Sequence, residues 1–270
     1  MQRGEITGPQ GPLHYALSGR LHAPRVVLLH PLGADLSVWD EVLPELERFF
    51  AVLRLDLRGH GGSRLLSAEP STSPSRSDIS MADYASDVLL VCDALGIERA
   101  HLCGISLGGA IALELALTAP ERVQRLVLAN TAPHFPDADT WDERMRLVRE
   151  QGMTAIAEAM PQRWFTPDCQ AQHPERIEAL AKRIRETSPA GYVQACAALK
   201  IFDRRQDLAT LRVPTRVLAG ARDGATRVED AEQWSQQISG ADLWVLDASH
   251  LAVVEQPEDF AAALLDFWRD

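Results

Sequence analysis

The chain has 270 residues, of which 46% are hydrophobic and 24% charged, and a formal net charge of −11. That size and composition suit one globular α/β domain with room for an inserted subdomain. The acidic balance excludes nucleic acid as an expected partner, because neutralising a phosphate backbone needs clustered Lys and Arg. It also means that an anionic substrate needs a cationic group placed inside its own pocket.

The opening residues "MQRGEITGPQGPLHYALSG" contain no apolar core of a signal peptide, and no later run is long enough to span a membrane. A cytoplasmic location is therefore expected. "HYALSGRLHAPRVVLL" is read as an antiparallel hairpin at a sheet edge. "RVVLLH" (25–30) and "FAVLRLDL" (50–57) are apolar runs of buried strands, with a helical pattern at about 37–48 between them. Residues 63–80, rich in Ser and Pro, read as a surface loop. A helix over 80–95, a strand over 99–105 and a helix over 107–118 follow, the last stopped by Pro120. After a strand at 123–130 the rhythm breaks. Residues 133–212 show helical patterns punctuated by Pro161, Pro167, Pro174 and Pro189 and no convincing strand. Strands at 215–220 and 241–248 and helices at 228–238 and 257–268 close the chain. Alternating strands and helices predict right-handed crossovers and a mostly parallel sheet flanked by helices. Residues 1–132 and 213–270 form its core, with 133–212 inserted as a helical cap. Cys92, Cys103, Cys169 and Cys196 are widely spaced and form neither a CxxC nor a metal-ligand pattern, so free thiols are expected.

Within "HLCGISLGGAIALELAL" (101–117), Ser106 stands between two glycines where a strand turns into a helix. A nucleophilic serine needs exposure, a base and donors for a developing oxyanion. A tight strand-to-helix turn supplies the exposure, and small flanking residues permit its backbone, which is the physical reason for G-x-S-x-G. The helix that begins at Leu107 aims free N–H groups and its positive end at the same point, making the Leu107 amide one expected oxyanion donor. The second is expected from "HPLGADLSVWD" (30–40), at the Leu32 amide, with His30 a buried histidine that pins the loop. Among eight histidines only His250 lies after the last strand and before the last helix, where a base belongs. The acid that orients it must follow the preceding strand, which points to Asp223 in "VLAGARDGAT". Asp247, three residues before His250, is the rival. The order Ser106, Asp223, His250 is that of an α/β-hydrolase.

With these residues the chain resembles the α/β-hydrolase superfamily over its whole length. It looks closest to the 3-oxoadipate enol-lactonases. "HPLGADLSVWD", "RLDLRGHGGS", "GISLGGAIALELA" and "HLAVVEQPEDF" are shared with many hydrolases. "LVLANTAP", "TWDERMRLVREQGMTAIAEAM", "RWFTP" and "GYVQACAALKIFDRRQDL" also look like the enol-lactonases, and the cap segments among them are the more diagnostic. The turn after the acid departs from the pattern, with "DGATR" in place of a proline-bearing D-P-A-T-P. The resemblance implies a small carboxylated enol-lactone opened to 3-oxoadipate through an acyl-enzyme on Ser106, without metal or organic cofactor. Some relatives are fused to a decarboxylase; a chain ending at Asp270 is expected to be the lactonase alone. An arginine suits the substrate carboxylate. Trp141 and Arg144, three apart at the start of the cap, share a helix face and are expected to pack on the substrate and bind its carboxylate. Arg163, Trp164 and Phe165 are weaker candidates, read mainly as packing. The triad alone leaves open another esterase, lactonase or peptidase of this fold, or a ligand receptor without turnover. A serine at the nucleophile position disfavours epoxide hydrolases and haloalkane dehalogenases. Oligomeric state is not legible.

Overall fold

The computed structural model describes residues 1–66 and 79–269, so the loop expected at 63–80 falls largely outside the described residues. In chain order, β1 (Gln2–Gly8), β2 (Gly11–Gly19), β3 (Arg25–Leu29), β4 (Ala51–Leu55), β5 (Ala100–Ile105), β6 (Val123–Ala129), β7 (Thr215–Gly220) and β8 (Asp242–Leu246) build one sheet. Its order is β1-β2-β4-β3-β5-β6-β7-β8, and every neighbouring pair from β4 to β8 is parallel. Burial follows position. Each residue of β4, β5 and β7 is buried, whereas β1 and β8 at the edges keep exposed positions. Apolar runs such as "RVVLL" therefore mark strands covered on both faces.

The sheet is flanked by α1 (Leu43–Leu46), α2 (Met81–Ala94), α3 (Leu107–Thr118), α9 (Val228–Ser235), α10 (Ala252–Glu255) and α11 (Pro257–Trp268). Between β6 and β7 the chain runs through α4 (Ala138–Gln151), α5 (Met153–Trp164), α6 (Pro167–Gln172), α7 (Pro174–Glu186) and α8 (Pro189–Ile201). Pro167, Pro174 and Pro189 each open a helix at the first position, where a missing N–H costs nothing. In this insert α4 packs on α8 and α5 on α7, while α8 also meets α3. Ten of the twelve residues of α3 are buried, Leu107 to Ala116 without a break. Buried on nearly all sides, α3 is a core helix enclosed by sheet and insert, and its N-terminus is held accordingly.

Two expectations are corrected. The edge hairpin uses residues 2–19, not 14–29. β1 and β2 pair across the two-residue turn Pro9-Gln10, and β2 then pairs with β4 rather than β3. The helix expected at 37–48 is two short turns, a 3₁₀ turn at Leu36–Trp39 and then α1. Pro44 sits at the second position of α1, and its ring and missing N–H prevent a continuous helix. Cys92, Cys103, Cys169 and Cys196 are buried thiols. Among the described residues no helix is long and apolar enough to cross a membrane.

Candidate active site

Ser106 joins β5 to α3 with φ 53° and ψ −112°, a conformation that costs an L-residue roughly 1–3 kcal/mol. The turn closes because two glycines touch. A Cβ on Gly104 would lie 2.0 Å from the Gly108 carbonyl oxygen, and one on Gly108 would lie 2.1 Å from that of Leu29. The spacing of G-x-S-x-G is thus a packing requirement at the crossing of β5, β3 and α3. Ser106 N–H donates to Ala129 O at 3.0 Å, and Thr131 Oγ1 donates to Ser106 O at 2.7 Å, fixing the serine from both sides. The residue remains partly exposed, and its hydroxyl has no hydrogen-bond partner among the described residues.

His250 follows β8, and its Nδ1–H donates to Asp223 Oδ2 at 2.9 Å. A carboxylate only accepts, so this bond assigns the proton to Nδ1 and leaves Nε2 as the free base. Asp223 accepts five hydrogen bonds. Ala225 and Thr226 N–H reach Oδ1 at 2.7 and 3.0 Å; Thr226 Oγ1, His250 Nδ1 and Asn130 Nδ2 reach Oδ2 at 2.6, 2.9 and 3.1 Å. Burial alone raises such a carboxyl, yet the charge and hydrogen bond of His250 and the bonds from Thr226 outweigh it. Asp223 is held well below the usual carboxylate range. Asp247, the rival, is exposed and paired with Arg222 Nε at 2.8 Å, away from the imidazole.

The loop after β3 carries the second expected donor. Leu32 is buried and its N–H makes no hydrogen bond among the described residues; Gly33 beside it has φ 81°. The Leu107 N–H belongs to the free first turn of α3, which has no acidic residue there to occupy it. His30 pins this loop. Its Nε2 accepts from Leu57 N–H at 2.9 Å, so its Nδ1 carries the proton and donates to Pro31 O at 2.8 Å. Burial lowers its pKa against the pull of Asp56 and Asp35, keeping the ring neutral and able to accept.

A cavity of about 350 Å³ lies within the insert, lined among others by Arg144, Met160, Arg163, Trp164 and Tyr192. Neither Ser106 nor His250 lines it, but one of its walls faces His250 and another faces the loop after β3. The Trp164 ring lies 6.2 Å from that of His250, and the Tyr192 ring faces Gly33, where a Cβ would meet it at 3.1 Å. Arg144 and Arg163 make no ion pair among the described residues. Burial and then the Arg144 charge lower the Arg163 pKa, which indicates two guanidiniums sharing one space. Trp141 departs from expectation. Its ring packs edge-on against Phe135 at 6.2 Å and is absent from the cavity lining, with the Arg144 guanidinium 5.0 Å over it. An apolar ring of that size gains more from the packed insert than from a solvated cavity wall. Trp141 therefore supports Arg144 from behind. Phe165 is buried packing, whereas Arg163 and Trp164, expected mainly as packing, belong to the cavity.

Sequence reasoning missed Asn130 and Thr226. Thr226 had a signal, since D-x-x-T is the spacing of a side-chain-capped turn. Asn130 had a weaker one, an Asn at a strand end, where it adopts φ 43° and joins Asp223 to Ser249 O at 3.3 Å. Among the described residues no group of three or more His, Cys, Asp or Glu is placed to hold a metal ion.

Comparison with known proteins identifies the family. Residues 24–257 match the model of the alpha/beta hydrolase fold family. The chain is 36% identical over 259 residues to 3-oxoadipate enol-lactonase 2 of Acinetobacter baylyi, covering 96% of this chain and 94% of that one. It is 30% identical to a protein of Caulobacter sp. that bears the name of a RutD carbamate hydrolase, covering 99% and 98%. The crystal structure of the enol-lactonase of Burkholderia xenovorans superposes with a TM-score of 0.92 at 33% identity, covering 99% of this chain and 100% of that one. With a G-x-S-x-G turn from strand to helix, a buried aspartate–histidine pair and this sheet order, the chain belongs to the α/β-hydrolase fold family and within it is similar to the 3-oxoadipate enol-lactonases.

Proposed function

We propose that the protein is a serine hydrolase that opens the ring of 3-oxoadipate enol-lactone to give 3-oxoadipate, a step of aromatic catabolism, and that residues 133–212 act as the cap holding the substrate. The observation that carries this reading is the pair of unpaired guanidiniums, Arg144 and Arg163, in a cavity whose wall reaches His250. In a chain of net charge −11, two guanidiniums in one cavity without a carboxylate partner among the described residues are a device for an anionic substrate. A cavity of about 350 Å³ suits a ring of that size.

On this reading Arg144 and Arg163 hold the substrate carboxylate while Ser106 acts on the lactone carbonyl. Ser106 Oγ attacks the carbonyl carbon while His250 Nε2 takes its proton. The oxyanion is met by the Leu32 and Leu107 amides. The C–O bond of the ring breaks, His250 returns the proton to the leaving enolate oxygen, and the enol rearranges to the ketone. The acyl-enzyme keeps the substrate tethered through its other end. Water, deprotonated by His250, then attacks the ester and releases the dicarboxylate, restoring Ser106. Asp223 holds the Nδ1–H tautomer throughout and stabilises the imidazolium.

The test follows loss of the enol-lactone absorbance beside a short neutral ester and a small carbamate, with wild type, Ser106→Ala and Arg144→Gln. Rapid lactone hydrolysis, abolished by Ser106→Ala, with KM raised by Arg144→Gln for the carboxylated substrate alone, is the expected result. Turnover of ester or carbamate with a silent lactone keeps the triad and rejects the enol-lactonase reading. Silence on all three from folded protein favours a receptor.

A further inference from the structure

Glu255 closes α10, five residues after His250. Its side chain is buried and makes no ion pair among the described residues. A buried carboxylate without a cation is expensive unless N–H groups satisfy it. Here two backbone amides do so, and they belong to different parts of the molecule. Oε1 accepts from Thr166 N–H at 2.5 Å, at the junction of α5 and α6, and Oε2 accepts from Ser249 N–H, next to His250. On the other side of the histidine, Leu251 N–H donates to Trp164 O at 3.2 Å. Both neighbours of His250 are thus tied to residues 164–166, the segment that also carries the Trp164 wall of the cavity.

We propose that Glu255 is a positioning residue that couples the cap to the histidine. One carboxylate sets the distance between the cavity that holds the substrate's far end and the imidazole that acts on its reactive end. The inference rests on the assignment of Ser106 and His250 as nucleophile and base. The carboxylate is suited to this because it offers two acceptors and no donor. Glutamine offers one acceptor and places an NH₂ against the second amide. A misplacement of about 1 Å between binding and reacting groups costs up to roughly a hundredfold in rate.

Two variants separate the halves of the link. Thr166 has φ −67°, and Phe165 before it is extended at φ −129°, ψ 147°, so the backbone at 166 admits proline, whose Cδ replaces the N–H and pushes Oε1 of Glu255 aside. Thr166→Pro deletes the cap-side N–H together with the Oγ1 cap on Cys169 N–H. Thr166→Ala deletes only the latter and is the reference. Relative to Thr166→Ala, Thr166→Pro is expected to lower kcat/KM for the carboxylated lactone about tenfold or more while changing that for a short neutral ester less than about threefold. Glu255→Gln, which loosens the histidine side as well, is expected to lower kcat about tenfold or more on both substrates. Equal effects of Thr166→Pro on the two substrates, or none, overturn the coupling, as does full kcat in Glu255→Gln. If Glu255→Gln does not fold, the Thr166 pair decides. If wild type hydrolyses the ester but not the lactone, the enol-lactone reading fails separately. Glu255→Gln on the ester then decides the positioning role, a tenfold fall supporting it and an unchanged kcat rejecting it.

Discussion

Acid should destabilise this fold well above the pH at which carboxylates titrate, because it buries neutral histidines. Burial, reinforced by His30, lowers His60 to about 3; burial, reinforced by Arg125 and Arg99, lowers His101 to about 4. His30 moves in the same direction. In the unfolded chain each returns to an ordinary value near 6.5. Between that value and the folded one the unfolded state binds more protons, so the stabilisation is complete above about pH 6.5 and is lost as pH falls. Each histidine contributes a slope of about 1.4 kcal/mol per pH unit. From about pH 7 to about pH 5, His60 and His101 together remove about 4 kcal/mol, a large part of a typical domain stability. Asp223, held low, loses its contribution only below the ordinary carboxylate range and adds nothing to the slope above about pH 5, while Asp87, raised by burial, acts in the opposite direction to the histidines. Urea unfolding by tryptophan fluorescence at fixed salt across that window measures the slope. His101 stacks on Trp268 at 5.6 Å and meets Phe50 edge-on at 5.7 Å, and its buried Nδ1 has no partner among the described residues. His101→Phe therefore keeps the packing, removes one titration, and should reduce the slope by about 1.4 kcal/mol per unit. Stability that holds or rises from pH 7 to pH 5, or an identical slope in His101→Phe, refutes the reasoning.

Gly108→Ala drives a methyl into the Leu29 and His30 carbonyls, backbone that cannot step aside, and should abolish folded protein in expression and circular dichroism. Arg204 clasps the buried Glu114 of α3 with Nε and Nη2 at 2.7 and 2.6 Å. Arg204→Met leaves that carboxylate unpaired and should cost about 3 kcal/mol by urea unfolding, the low end for such a loss because Arg204 keeps about a third of its side chain in solvent. Adding Glu114→Gln should recover part of it. Thr226→Val deletes the 2.6 Å bond to Asp223 Oδ2 and should lower kcat more than it raises KM, read in steady-state kinetics on whichever ester or lactone the protein turns over.

Much of the architecture was legible because its signals are local. Buried strands appear as short apolar runs, and the elbow announces itself because G-x-S-x-G is a contact requirement between backbone atoms a few residues apart. The segment at 37–48 misled because its apolar pattern is helical while Pro44 cuts the hydrogen-bond ladder. The edge hairpin misled because pairing partners are chosen by the sheet. β2 has a suitable neighbour in β3 along the chain but lies against β4.

Residue chemistry and chain order by themselves determined the fold class and pointed to Ser106, His250 and Asp223, since each follows a strand at the same end of a parallel sheet. Only tertiary structure decided what surrounds them. Asp223 rather than Asp247 meets the imidazole because β7 ends beside β8 and Asp247 turns out to Arg222. Trp141 and Arg144 share a helix face, but the packing of α4 buries the ring against Phe135 and leaves the guanidinium in the cavity with Arg163. Glu255 meets Thr166 from 89 residues away in sequence. Contacts of that separation carry no periodicity or spacing, because the chain between them is free to fold in many ways until the core closes.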